Sequence, residues 1–166
     1  KNNSRIKVIA VEPNVNVCFN YIKRFQNKYE ILYFPFAILG HDNNDDIQLK
    51  GLNLYEHTKS SSIYERNRLK GGTVLCAGVK FSYLWKFLLE NDLIDREQPY
   101  ILRMNCEGSE LGVIEDIKRI GIKPKCIIGS IGDLIKIHGE EANTKAVELL
   151  KEMNIPDKAS IIVLNK

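Results

Sequence analysis

The chain has 166 residues, 44% of them hydrophobic and 27% charged. These proportions fit one globular domain and exclude a disordered or fibrous chain. The 24 basic and 21 acidic residues leave a net charge of +3, too even a balance to point to nucleic acid or a membrane surface as partner.

Residues 5–12, R-I-K-V-I-A-V-E, are dense in β-branched side chains and predict a buried parallel strand. Pro13 and Asn14 break it. Asn14 is a good N-cap, and Val17, Tyr21, Ile22 and Phe25 follow at helical spacing. Residues 30–39 form a second apolar run of strand length, and residues 40–46 a polar loop.

The next stretch changes character. Residues 47–49, 52–55, 62–64 and 73–77 are short strand-like pieces, and Lys70, Gly71 and Gly72 read as a turn. We expect an inserted antiparallel ribbon here. Residues 81–93 are helical, with Leu84, Trp85, Phe87 and Leu88 on the buried side. Alternation then resumes: strand 100–104, helix 111–120 ended by Gly121, strand 126–129, helix 140–153 and strand 160–164. The fold class is therefore α/β with a mainly parallel sheet. We find no repeat or linker and expect a single domain over 1–166.

No apolar run reaches the roughly 18 residues of a membrane-spanning helix, and residues 1–7 lack the order of a signal peptide. The four cysteines, Cys18, Cys76, Cys106 and Cys126, form no C-x-x-C pair and read as reduced thiols. Together these features suggest a cytoplasmic protein.

Ligands of parallel α/β sheets sit beyond the carboxyl ends of the strands, so the residues there carry the functional reading. Glu12 ends the first strand. Its carboxylate suits two ribose hydroxyls, but also suits the N-terminus of the following helix. After the strand at 100–104 comes N-C-E-G-S-E, residues 105–110. Asn105 and Glu107 could face a ligand or support general-base chemistry. Ser109 and Glu110 alone read as a helix N-cap and a dipole partner. Residues 42–46 fail the EF-hand pattern, with Ile47 in place of its glycine and Asn53 in place of its glutamate. His41, His57 and His138 are scattered, and no zinc site is expected. Neither G-x-G-x-x-G nor a P-loop occurs.

Four segments resemble, in order, the FkbM-type S-adenosylmethionine-dependent methyltransferases. V-I-A-V-E-P-N at 8–14 resembles their second-strand motif. F-P-F-A-I-L-G at 34–40 resembles the third strand, and S-S-S-I-Y at 60–64 a serine-rich patch. Y-I-L-R-M-N-C-E-G-S-E at 100–110 resembles a strand followed by Asp-x-Glu-Gly-x-Glu. The resemblance implies a Rossmann-like methyltransferase sheet using S-adenosylmethionine, with O-methylation of a sugar or small-molecule hydroxyl. It implies that Glu12 binds the ribose while Asn14 and Ala37 line the cofactor pocket. It places Asn105 and Glu107 in the catalytic site, with Ser61, Ser62 and Glu110 toward the substrate. A homo-oligomer is compatible with it, and no metal is required.

Two departures stand out. Asn105 occupies the position of an aspartate, and an amide cannot act as a general base, so Glu107 is the carboxylate left in reach. The family's opening strand and glycine-rich loop have no counterpart in the chain and would precede Lys1. That strand would lie between the strands at 6–12 and 100–104. Upstream residues, direct pairing of those two strands, or another chain could complete the sheet, and we expect the first. The alternative to an enzyme is a non-catalytic methyltransferase-fold remnant serving as a binding or assembly module. A nucleotide-sugar enzyme would need a phosphate-binding loop that the sequence lacks.

Overall fold

The computed structural model describes residues 6–40, 44–55, 61–64, 70–154 and 160–163. His41, Asp42, His57 and Ser60 lie outside the described residues, as does Lys1.

β1 (Lys7–Val11), α1 (Val15–Phe25) and β2 (Glu30–Phe34) form a strand–helix–strand unit. The two strands pair in parallel, from Lys7 opposite Glu30 to Val11 opposite Phe34. Asn14 starts the helix as expected, its Oδ1 accepting the Val17 N–H at 3.4 Å.

The apolar run at 30–39 is not one strand. It breaks at Pro35, which has no N–H to offer a ladder, and β3 (Ala37–Ile38) joins a different sheet. That sheet has the order β3-β6-β4-β5, with β4 (Ile47–Tyr55), β5 (Ser61–Ser62) and β6 (Lys70–Val79). β4 and β6 run antiparallel from Ile47 opposite Val79 to Tyr55 opposite Lys70. The expected ribbon is present, with two corrections. The pieces at 47–49 and 52–55 are one strand, because Lys50 and Gly51 continue the ladder opposite Cys76 and Leu75. Lys70, Gly71 and Gly72 extend β6 instead of turning the chain, since pairing with the end of β4 overrides their turn propensity.

The second half alternates regularly. α2 (Phe81–Glu90) leads to β7 (Ile101–Met104), α3 (Glu110–Ile120), β8 (Cys126–Ser130), α4 (Gly132–His138), α5 (Glu140–Glu152) and β9 (Ser160–Val163). β7, β8 and β9 form a parallel sheet in that order. α4 has no counterpart in the sequence reading. The molecule is thus mixed α/β with small, mostly parallel sheets and an antiparallel ribbon.

The core sits in this half. Ile114 and Ile117 of α3, Ile127 of β8, Leu134 of α4 and Ala146 of α5 have no exposed surface. α3 ends where Gly121 turns left-handed at φ +69°, and the Ile122 N–H returns to the Ile117 carbonyl at 3.3 Å. Trp85 packs against this core, but Phe87 is 41% exposed and meets Phe34 edge-on, contrary to the expectation that it is buried. Its helical position lies between the buried stripe of Leu84 and Leu88 and the solvent face.

Among the described residues β1 pairs only with β2, and β7 only with β8. The two strands therefore do not pair with each other, which overturns the direct-pairing arrangement. Lys7 Nζ, at the start of β1, donates to the carbonyl of Leu93, in the loop that follows α2, at 3.1 Å. No helix among the described residues is long and apolar enough to cross a membrane.

Candidate active site

The carboxyl ends of β1 and β7 converge with β3 and the ribbon on a cleft of about 110 Å³. Glu12, Ala37, Ser62, Asn105, Cys106 and Glu107 line it, beside apolar Phe36, Ile38, Leu52 and Ile63. Five of the eight residues singled out from the sequence thus meet at one place, although they come from four separate segments. No lysine, arginine or histidine is among the lining residues.

Glu12 follows β1 directly, and its position is fixed from three directions. Its N–H donates to the Phe34 carbonyl at 3.2 Å, its carbonyl accepts the Tyr33 hydroxyl at 2.7 Å, and its Oε1 accepts the Asn14 N–H at 2.8 Å. Burial pushes the carboxyl above its ordinary pKa, with the Asn14 N–H opposing. Tyr33 is pushed up to about 12 by burial, with Cys18 and Glu12 adding to the effect, so it remains a neutral donor. Asn14 holds the helix start and does not line the cleft.

The turn after β7 is unusual. Glu107 and Gly108 adopt consecutive positive φ values of +53° and +114°. A side chain on Gly108 would be strained by that φ, and its Cβ would lie 2.6 Å from Ile137 Cδ1 and 3.0 Å from Tyr64 Cδ2. The Ser62 hydroxyl donates to the Glu107 carbonyl at 3.0 Å and accepts the Tyr64 N–H at 3.0 Å. His138 Nε2 donates to the Gly108 carbonyl at 3.0 Å, and the His138 ring meets Tyr64 edge-on. Glu110 completes the clamp: Oε1 accepts the Cys106 N–H at 2.8 Å and Oε2 the Gly108 N–H at 2.9 Å.

These bonds give Glu110 and Ser62 a part in supporting the turn. Glu110 is only 1% exposed, and both its oxygens hold the turn. Burial raises its pKa despite the backbone donors around it. Ser62 is 2% exposed, and its hydroxyl braces Glu107. Nothing is described of the Ser61 side chain. Ser109 stands at the N-cap position without making a side-chain cap; its hydroxyl donates to the Ile38 carbonyl at 2.7 Å and ties α3 to β3. Burial, reinforced by Glu110, pushes the Cys106 thiol far above the ordinary range, which leaves it an unreactive wall.

Tyr33, Tyr64 and His138 are the residues that sequence reasoning missed. Tyr33 lay within a run read only as a strand. His138 lies 30 residues from the carbonyl it holds, a separation without local signal.

A second, larger groove of about 610 Å³ is lined by Leu39 and Gly40 after β3, Lys80 after β6, and residues of α3 and α5. Charged groups in its walls pair, Asp116 with Arg119 at 2.6 Å and Glu115 with Lys145 at 2.5 Å. Among the described residues no cluster of His, Cys, Asp and Glu could hold a metal ion. In comparisons with known proteins, no family model, no curated protein and no solved structure matches the chain.

Proposed function

We propose that the cleft binds S-adenosylmethionine and that the protein is a methyltransferase of the FkbM type acting on a hydroxyl of a sugar or other small molecule. The observation that carries this reading is the convergence of Glu12, Asn105 and Glu107 beyond the ends of two parallel strands, with no cation in the lining. Such a wall favours a neutral diol or a cation and disfavours phosphate. A nucleoside sulfonium has both features; a sugar nucleotide does not.

The donor set fits the group in kind. Glu12 would accept hydrogen bonds from the ribose hydroxyls, with Tyr33 and Asn14 holding it in place. Ala37 and Phe36 would offer apolar contact to the base. The cofactor supplies an electrophilic methyl group when bound. The cleft is of sugar-ring size, below the roughly 300–1,000 Å³ of pockets that enclose whole ligands. The ribose would occupy it, and the remainder of the cofactor would extend beyond it.

Methyl transfer asks chiefly for alignment and for a base to receive the acceptor's proton. Glu107 is the carboxylate suited to that task. The bracing of its backbone by Ser62, Glu110 and His138 would keep it in register with the acceptor. Asn105 would donate to or accept from the substrate without taking its proton.

Two observations favour a second reading. Asn105 stands where the resembled motif carries aspartate, and the cleft is small. A binding module that keeps the ribose site and has lost transfer fits both features. Calorimetric titration with S-adenosylhomocysteine, followed by a methyl-transfer assay over a panel of sugars and small alcohols, tests the proposal. Cofactor binding with transfer supports the enzyme, binding without transfer supports the module, and absence of binding defeats both.

A further inference from the structure

The even charge balance of the whole chain conceals a local excess. Between Pro13 and Tyr29 stand Lys23, Arg24 and Lys28 and no aspartate or glutamate. This segment therefore carries the entire net charge of +3, and the rest of the chain is balanced. All three cations are exposed, and none of them forms an ion pair among the described residues. The next acid along the chain, Glu30, is held by Lys7 at 3.4 Å.

α1 gathers this charge on one face. Cys18, its buried residue, marks the inward side. Asn16, Asn20, Lys23 and Arg24 recur at i, i+4, i+7 and i+8 on the opposite side, and all four are exposed. Phe19 and Tyr21 flank this stripe to left and right and keep more than half of their surface in solvent. Tyr21 stacks on Phe25, ring centres 6.4 Å apart and planes 10° apart, and the Arg24 guanidinium lies over the Phe25 ring at 5.3 Å. These contacts hold the Tyr21 ring beside the charge. The helix dipole accounts for cations in the last turn, but not for aromatic rings left in water beside them.

We propose that this face of α1 docks single-stranded RNA. Three chemistries on it select that occupant. Unpaired cations meet phosphates, and exposed rings stack on bases. Side-chain amides both donate and accept, as do the ribose 2′-hydroxyls that distinguish RNA from DNA. A duplex keeps its bases stacked on one another and away from the rings. A lipid surface is a poorer match. Amides occupy the outward centre of the face, and the two rings sit on opposite flanks, where one plane cannot bury both. The inference stands independently of the ligand in the cleft.

Fluorescence anisotropy of a labelled, mixed-sequence RNA strand of about 12 nucleotides tests it. The wild type is expected to bind, with log Kd rising against log salt concentration at a slope of about 2, as three neutralised phosphates require. Lys23→Gln combined with Arg24→Gln should weaken binding about tenfold or more at low salt and cut the slope to about 0.7. Phe19→Ala should weaken binding about five- to hundredfold and leave the slope unchanged. All these changes fall on exposed side chains, and far-UV circular dichroism checks that the fold persists. The same strand as DNA, or annealed to its complement, should bind more weakly, and vesicles rich in phosphatidylserine should not compete. Absence of RNA binding at low salt, binding indifferent to these substitutions, equal or tighter binding of DNA or duplex, or displacement by the vesicles would each overturn the proposal.

Discussion

Two strand–helix–strand units in this chain are built from similar residues and reach opposite ends of packing quality. In β7–α3–β8 the helix buries Leu111, Val113, Ile114 and Ile117 in the core that it shares with α2 and α5. In β1–α1–β2 the helix buries only Cys18, and Phe19 and Tyr21 stay 62% and 55% exposed. Apolar periodicity creates a helix face, but burial depends on what stands opposite it. α3 has α5 across from it and α1 has no such neighbour among the described residues. The candidate site lies at the seam between the two units. The well-packed half supplies a rigid, strained turn, and the loosely packed half supplies the carboxylate opposite it.

The sharpest way to break this comparison is in the packed half. Ile117→Ala should cost about 3–4 kcal/mol in chemical denaturation, because a fully buried side chain leaves a cavity. Glu110→Ala removes the acceptor of two backbone N–H groups at the turn and should cost about 2–4 kcal/mol. Glu110→Gln, which keeps one carbonyl acceptor, should cost less. Gly108→Ala should cost about 1–3 kcal/mol from backbone strain, and should weaken ligand binding by more than its stability loss explains. At the other extreme, Phe19→Ala should stay within about 0.5 kcal/mol of wild type in the same denaturation experiment. A loss above 2 kcal/mol there would mean that α1 is as tightly packed as α3.

pH sharpens the comparison further. Burial raises the Glu12 pKa in the folded state. The unfolded chain therefore releases this proton first as pH rises, so Glu12 lowers stability progressively from the ordinary glutamate range up to its raised value. Glu12→Gln should match the wild type in acid and become the more stable protein as pH rises, in thermal melts across pH 4–8. If Glu12 holds the ribose as a carboxylate, wild-type cofactor affinity should fall as pH drops through that raised value.

Much of the site was legible because it rests on local chemistry. A strand ending in Glu-Pro-Asn places a carboxylate and a cap whatever surrounds it, and both stand where the sequence put them. The strand break at Pro35 was written in the sequence and was masked by the apolar residues around it. The extension of β6 through Gly71 and Gly72 was not legible, since pairing with β4 decides it. A support role for Glu110 was read from its place at the helix start, but its clamp on the turn and the bracing by Ser62 were hidden for a related reason. A carboxylate or hydroxyl beside a glycine turn looks the same in sequence whether it faces a ligand or holds backbone N–H groups. Only the direction of the turn, set by Ser62, Tyr64 and His138 from distant segments, distinguishes the two.

The central claim is that Glu12 is a cofactor ligand and not merely the end of a strand. Isothermal titration of S-adenosylhomocysteine into the wild type and into Glu12→Ala tests it most directly. The account predicts binding by the wild type and a loss of about 1–3 kcal/mol in Glu12→Ala, with the fold intact by circular dichroism. Equal affinity in the two proteins, or no binding by the wild type, would contradict it.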